Sequence, residues 1–331
     1  MAVVSVLMSV YNEPEDVLRQ SIESILKQTF SDFEFVIIGD NPDNDRINDI
    51  VTNYEKRDKR ISFLINSENI GLTKSLNRGL KLCHGKYIAR MDADDIAVST
   101  RLQKQLDYLE SHADVHILNT AIMKFFNADV NNNIIMTVPS DNESIIERLF
   151  ISNLLFHPTV MFRKSFIDEH HIIYNEKFRR SQDYAMWLEI ASNGGKFSSL
   201  QEPLLYYRAS ENQISIKYRD QQKYDADAIL LFYIKRTLHS FLGDIDSISP
   251  KTLIRLFAKE IHKDATPYNK ELLYKLLLSY DNIFTLFSLL LDSNIRQINI
   301  SRKKICKIIL SCFINRWENE KISLADIRLH Q

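Results

Sequence analysis

The stretch Tyr87-Ile88-Ala89-Arg90-Met91-Asp92-Ala93-Asp94-Asp95 decides how this chain reads. Residues 87–91 predict a buried strand, and that strand runs directly into three carboxylates, Asp92, Asp94 and Asp95. Three carboxylates within four positions repel one another unless a cation offsets them. Oxygen ligands of this kind suit Mg²⁺ or Mn²⁺, which also take ligands from substrate phosphates. The plainer reading is an acidic turn that caps the helix beginning near Arg101, because Asp is a favoured capping residue.

Upstream, residues 3–10 are apolar and β-branched and predict a first buried strand. Pro14 opens a helix whose apolar face is Val17, Leu18, Ile22, Ile25 and Leu26. A strand over 33–38, a helix over 46–54 and a strand over 61–65 follow. The next helix, 71–83, stacks Leu72, Leu76 and Leu80 on one side. Strands alternating with helices predict an α/β fold with a mostly parallel central sheet and helices on both faces. Ligands of such sheets bind at the carboxyl ends of the strands, where the acidic stretch falls. Downstream the pattern is mixed: a helix marked by Leu102, Leu106 and Leu109, a strand over 117–126, a helix over 144–150, a strand over 159–163, a helix over 183–191 and a strand over 204–208. From about residue 220 only helical patterns remain.

The 42 basic and 43 acidic residues leave a net charge of -1, which argues against a nucleic-acid partner. Cys83, Cys306 and Cys312 form no CxxC pair, so neither a disulfide framework nor a zinc site is expected. The first eight residues lack a basic n-region, and Tyr11-Asn12-Glu13 follows too soon for a secretory signal. No apolar run approaches the ~18 residues that would span a bilayer. A cytoplasmic location is the expectation. The seven glycines include no GxGxxG and no GxxxxGK[ST], so dinucleotide-binding and P-loop chemistry are excluded. A nucleotide diphosphate on this sheet would need another counter-charge, and a carboxylate-held metal supplies one.

Three further residues carry paired readings. Asp40, after the second strand, is either an acceptor for the N3–H of uracil or an Asx-turn residue. Asp183, in Gln182-Asp183-Tyr184, is either a reactive carboxylate or a helix cap. Arg208 is either a phosphate partner or a surface charge. His157, Met186 and Trp187 read as packing residues.

Taken in order, Val4 to Asn12, Asn69-Ile70-Gly71-Leu72, Tyr87 to Asp95 and Gln182-Asp183-Tyr184 resemble the inverting glycosyltransferases of the GT-A, SpsA-like fold. The resemblance covers residues 3 to about 218. The segment from Tyr207-Arg208 to Asn212-Gln213-Ile214-Ser215-Ile216-Lys217-Tyr218 is similar to bacterial enzymes that extend lipooligosaccharide or O-antigen chains, often through β-1,3 linkages. The resemblance implies a UDP-sugar donor, contacted by Asp40 at the uracil and Asp92 at the ribose, with Tyr11, Asn12, Arg90 and Arg208 also on the donor side. It implies that Asp94, with Asp92, holds Mn²⁺ or Mg²⁺ and that Asp183 is the general base. It implies a catalytic domain over 1–218, with a nucleotide-sugar half (1–98) and an acceptor half (99–218), followed by a helical region over 219–331. The acceptor implied is an oligosaccharide or a lipid-linked saccharide.

The chain departs from the family where Gly39-Asp40-Asn41-Pro42 replaces Asp-Asp-Gly-Ser, where Gln182 replaces the first acidic residue beside the base, and where Ser210 stands in place of a His. The rival reading is a catalytically inactive carbohydrate-binding or scaffold protein of the same fold, against which the intact Asp92, Asp94 and Asp183 argue. Finally, 296–321 carries seven basic residues against Glu318 and Glu320, with Ile305, Ile308, Ile309, Cys312 and Phe313 at helical spacing. A basic amphipathic helix of this kind either docks on an anionic membrane surface, making the protein peripheral, or packs its apolar side on the catalytic domain.

Overall fold

The computed structural model describes residues 2–126, 129–209, 219–242, 250–261 and 266–278, with Leu289, Ile295 and Ile298. Two compact units divide the chain, Met1–Ala226 and Asp227–Gln331.

The first half of the first unit alternates strictly: β1 (Val4–Val10), α1 (Glu15–Leu26), β2 (Phe33–Gly39), α2 (Asp45–Arg57), β3 (Ile61–Ile65), α3 (Leu72–Leu80) and β4 (Tyr87–Asp92). The strands lie in the order β3-β2-β1-β4, and every pairing among them is parallel. Side chains alternate across a strand. Val4, Val6, Met8 and Val10 therefore share one face of β1, where they form a core with Leu18, Ile22 and Ile25 of α1 and Ile47, Ile50 and Val51 of α2. Leu7 faces the other way, onto α3, where a Cβ on Gly79 would come within 2.2 Å of its side chain. Helices thus cover both faces, as the alternation predicts.

The second half contains β5 (Ile96–Ala97), α4 (Arg101–Ser111), β6 (Ile117–Phe126), β7 (Asp129–Met136), α5 (Asn142–Leu149), a 3₁₀ turn (His157–Thr159), β8 (Met161–Arg163), α6 (Lys164–Glu169), α7 (Gln182–Ser192) and β9 (Phe197–Ala209). The sheet continues past β4 through β8, β6, β9 and β5, with β7 on β6. β8 joins β4 and β6 by short antiparallel ladders, whereas β6 and β9 run parallel along the whole of β6, with shifts of register at Thr120–Ile122. Parallel ladders are the longer ones, so the central sheet is mostly parallel. The strand expected over 159–163 starts only at Met161. Pro158 has no N–H to give a ladder, and the chain takes the 3₁₀ turn there instead.

The described part of the second unit is helical: the rest of α8 (Arg219–Leu242), then α9 (Pro250–Ile261) and α10 (Pro267–Leu278). Phe257, Ala258 and Ile261 of α9 and Leu272, Leu273 and Leu277 of α10 are buried. No described helix is long and apolar enough to cross a membrane. The 210–218 segment lies outside the described residues. So does the basic segment 296–321, apart from Ile298.

Candidate active site

β4 is hydrogen-bonded to β1 on one side and β8 on the other, so its end is fixed in space, and Asp92 lies opposite Ser9 in the ladder. Ser21 of α1 donates its hydroxyl to the Asp92 carbonyl at 2.9 Å, which ties the turn to the helix beneath it. Asp92, Asp94 and Asp95 each offer an oxygen within 4.8 Å of the others. Burial first, then the charges of Asp92 and Glu13, pushes the Asp94 carboxyl up to about 7. Burial and the Asp94 and Asp92 charges raise Asp95 well above the usual carboxylate range. Asp95 is buried, and its Oδ2 accepts no hydrogen bond among the described residues. An all-oxygen cluster of mutually repelling carboxylates, with a buried lone oxygen, fits a hard divalent cation.

Three arginines frame the turn. Arg90 is buried and ion-paired to Asp92. Arg101 is fully buried on α4 and donates to the Arg90 carbonyl at 2.7 Å and to Gln105 Oε1 at 3.0 Å; burial lowers its guanidinium to about 9. Arg208, near the end of β9, donates from its backbone N–H to Asp95 Oδ1 (2.9 Å), from Nε to the Asp94 carbonyl (2.8 Å) and from Nη2 to Gln20 Oε1 (2.9 Å). Its guanidinium also lies 4.8 Å from the centre of the Phe125 ring. Arg208 therefore spans the acidic turn and α1.

Tyr11 and Asn12 leave β1 at the same sheet edge. Tyr11 is 48% exposed, and Asn12 Oδ1 accepts from Asn44 Nδ2 at 3.1 Å. Glu13, which the sequence reading left unassigned, accepts from the Tyr11 N–H at 2.9 Å. Burial raises its carboxyl, and Asp92 adds to that. Asp40 is buried at the end of β2. Its Oδ1 accepts from Asn66 Nδ2 (2.7 Å) and the Ile70 N–H (3.0 Å), and its Oδ2 accepts from the Gly71 N–H (2.9 Å). Gly71 starts α3 at φ 85°, a backbone angle that a side chain strains. Asp40 thus shapes the loop that enters α3 and retains one acceptor position on Oδ2.

Asp183 lies in the first turn of α7, where the helix N-terminus favours negative charge. Oδ1 accepts from the Tyr184 N–H and Oδ2 from Asn153 Nδ2, both at 2.8 Å. Burial raises the Asp183 carboxyl, while those two hydrogen bonds and the Arg90 charge pull it back. Tyr174 is fully buried, and both Asp183 and Asp92 act on its phenol, which burial holds above its ordinary range. The Tyr174 hydroxyl shares a 2.8 Å hydrogen bond with His157 Nε2, and burial together with Arg90 keeps that imidazole neutral. Trp187 meets His157 edge-on and stacks with Phe162, so His157 and Trp187 are packing residues, as read from the sequence; Met186 is buried as well. From α3, Asn77 holds the Tyr174 backbone at two points: Nδ2 donates to the carbonyl and Oδ1 accepts from the N–H, both at 2.8 Å. The Arg90 charge acts on both Asp94 and Asp183, and the charges of Asp92 and Asp183 both act on the Tyr174 phenol.

An open α/β sheet with an acidic turn at its carboxyl edge, and no glycine phosphate loop, departs from the dinucleotide-binding architecture. The family model of glycosyl transferase family 2 matches residues 5–171, and the chain belongs to that family. It is 40% identical over 208 residues to an uncharacterized glycosyltransferase of Methanocaldococcus jannaschii, covering 62% of this chain and 70% of that one. It is 31% identical over 255 residues to the UDP-Gal:alpha-D-GlcNAc-diphosphoundecaprenol beta-1,3-galactosyltransferase of Escherichia coli, covering 76% of this chain and 90% of the relative. Among solved structures, S. aureus TarS 1-349 in complex with UDP superposes with a TM-score of 0.56 at 16% identity, over 97% of this chain and 92% of TarS. At that identity the likeness shows a shared fold.

Proposed function

We propose that this glycosyltransferase moves a sugar from a UDP-sugar to a saccharide hydroxyl with inversion, using Asp183 as general base. The observation that carries the reading is the acidic turn at the carboxyl end of β4, where Asp92, Asp94 and Asp95 offer oxygens within 4.8 Å of one another. The acceptor hydroxyl attacks the anomeric carbon from the face opposite the diphosphate. Its proton passes to Asp183 as the new C–O bond forms. The C–O bond to the diphosphate breaks, and its electron pair leaves with UDP. Base catalysis of this kind contributes about 10²–10⁴-fold.

Asp94 and Asp92, with Asp95 behind them, would hold Mn²⁺ or Mg²⁺, which when bound offsets the charge of the departing diphosphate. Asp92 also meets the ribose, oriented by buried Arg90. Asp40 Oδ2 receives the uracil N3–H, with Tyr11 and Asn12 beside the base. Arg208 holds the acidic turn and adds positive charge near the diphosphate. Residues 1–98 form the donor half and 99–218 the acceptor half, followed by the helical region 219–331. A UDP donor is supported by the UDP complex of the TarS fold neighbour and by the name of the E. coli relative.

That relative's name also supports a lipid-diphosphate-linked saccharide as acceptor and a β-1,3 linkage. A lipid-linked acceptor places the enzyme at the cytoplasmic face of a membrane, with the basic segment 296–321 as the contact. The test is a screen of UDP-glucose, UDP-galactose, UDP-GlcNAc and UDP-GalNAc for UDP release, with and without an undecaprenyl-diphosphate saccharide. Release that depends on acceptor supports the reading; no release with any UDP-sugar but turnover of a GDP-sugar overturns the donor class. Co-sedimentation with anionic liposomes, for the full chain and a truncation before Arg296, tests the membrane contact, and equal binding by both would remove it from this segment.

A further inference from the structure

The sequence reading gave no role to Asn153, an exposed residue in the turn after α5. Its amide donates to Asp183 Oδ2 at 2.8 Å. The turn that carries it is pinned on both sides. Ile151 and Ser152 donate their N–H groups to the Arg148 carbonyl at 2.9 and 3.0 Å. Phe156 donates its N–H to Asn119 Oδ1 at 2.9 Å. The Tyr184 hydroxyl, one residue beyond Asp183, reaches back to the Leu149 carbonyl at 2.5 Å. The short span bearing Asn153 and the first turn of α7 are therefore held together by bonds that do not involve Asn153. Its side chain is free of any scaffolding duty in that junction, yet it points its donor at the carboxylate.

We propose that Asn153 is a positioning residue for the reaction: its amide fixes the rotation of the Asp183 carboxylate and keeps it ionised, leaving the remaining lone pairs for the acceptor hydroxyl. This rests on the reading of Asp183 as base. The chemistry favours an amide at this place. A carboxylate that must take a proton needs a hydrogen-bond donor to hold it, because burial alone drives it towards the neutral acid. A lysine or arginine in contact would hold the charge more strongly and make the carboxylate a weaker base. The other groups acting on Asp183 are the Tyr184 N–H from its own helix, Arg90 from β4 and the neutral phenol of Tyr174. None of them bonds Oδ2, so Asn153 is the group whose removal changes that oxygen alone.

The experiment reads the titration of Asp183 directly, in the full chain without substrate. Carboxyl-¹³C aspartate is incorporated, and the Asp183 signal is assigned by its loss in Asp183→Asn. Asn153→Ala is expected to move its midpoint up by about one unit, the loss of one hydrogen bond to the charged form. Asn153→Asp places a second carboxylate against the first and is expected to move it further, since two such groups in contact do not both stay ionised. The acid limb of kcat/KM for the acceptor follows the same shifts, measured by UDP release from whichever of the four UDP-sugars turns over, while KM for the donor stays unchanged. An unmoved midpoint in both variants overturns the proposal. So does a loss of turnover whose pH profile is that of the wild type. If Asp183→Asn itself keeps wild-type turnover, the base assignment fails instead, and the titration of Asn153→Ala still reports whether the two side chains are coupled. Asn153 is exposed, so Ala and Asp are both expected to leave the thermal melt unchanged; a variant that unfolds is replaced by the other.

Discussion

Asp92 ends a strand that is hydrogen-bonded to neighbours on both sides; Asp183 starts a helix whose first turn is held by the loop side chain of Asn153 and by its own Tyr184 hydroxyl on the Leu149 carbonyl. The first half of the first unit, up to β4, is a regular parallel sheet covered by helices, and its acidic turn inherits its position from backbone ladders. The second half joins β8, β6, β9 and β5 by short or shifted ladders, and its Asp183 carboxylate is held by the Asn153 amide and the Tyr184 N–H. The difference teaches where each half is fragile. Removing a side chain from the donor edge should change binding and leave the scaffold standing. Removing one of the side chains that bond Asp183 should change its protonation and leave the fold in place.

The largest expected effect is in Asp183→Asn, which keeps the shape and the helix N-terminus but cannot take a proton. Turnover should fall by about 10²–10⁴-fold while UDP affinity by calorimetry is unchanged. Wild-type turnover would break the comparison at its acceptor end. Next comes Asp94→Ala, with EDTA treatment as its wild-type counterpart. Both should abolish transfer, and Mn²⁺ add-back should restore only the wild type; full activity in EDTA would remove the metal role.

The third prediction concerns pH. Because the Asp94 carboxyl is raised to about 7, the folded chain binds a proton there that the unfolded chain has released. Without metal, this group makes stability fall as pH rises from about 4 to about 7, the direction set by a folded state that holds more protons. Mn²⁺ must displace that proton, so its affinity should weaken below pH 7. Calorimetric titrations at pH 5.5 and 8 check this, and equal affinities would count against Asp94 as a ligand. The fourth is Asn77→Ala, which leaves the buried N–H and carbonyl of Tyr174 unpaired. A cost of about 1–3 kcal/mol for each group is expected, read from urea unfolding. The smallest effect is in Asp40→Asn. It should narrow the preference for UDP over CDP by about tenfold, the worth of one good hydrogen bond, measured by product inhibition. A preference unchanged in the variant would leave Asp40 as the organiser of the loop into α3.

The half up to β4 was legible because its elements are long, buried and periodic. The apolar runs of β1, β2 and β4 and the leucine stack of α3 announce themselves. β7 was not, since Asp-Val-Asn-Asn-Asn-Ile-Ile-Met is a poor strand by propensity and exists by pairing with β6. β5 has two residues and α6 six, too short to show a period. At the site, Asp92, Asp94 and Asp183 stand out as carboxylates at element ends. Glu13 was within reach of the same logic, as it follows β1 at the same sheet edge. Asn153 and Tyr174 act by contacts across long sequence separations, Arg101 folds back onto β4, and no local pattern marks them.

Asn77 offers the Tyr174 backbone one donor and one acceptor, the pair that a neighbouring strand would have supplied. A single side chain thus stands in for a missing strand, and Tyr174 stays buried in a loop whose residues Ile173 and Glu176 are exposed. Such a loop is free to change composition and length on either side of Tyr174 without unpicking a sheet. Substitutions on either side of Tyr174 are therefore tolerable as long as Asn77 on α3 keeps its two bonds.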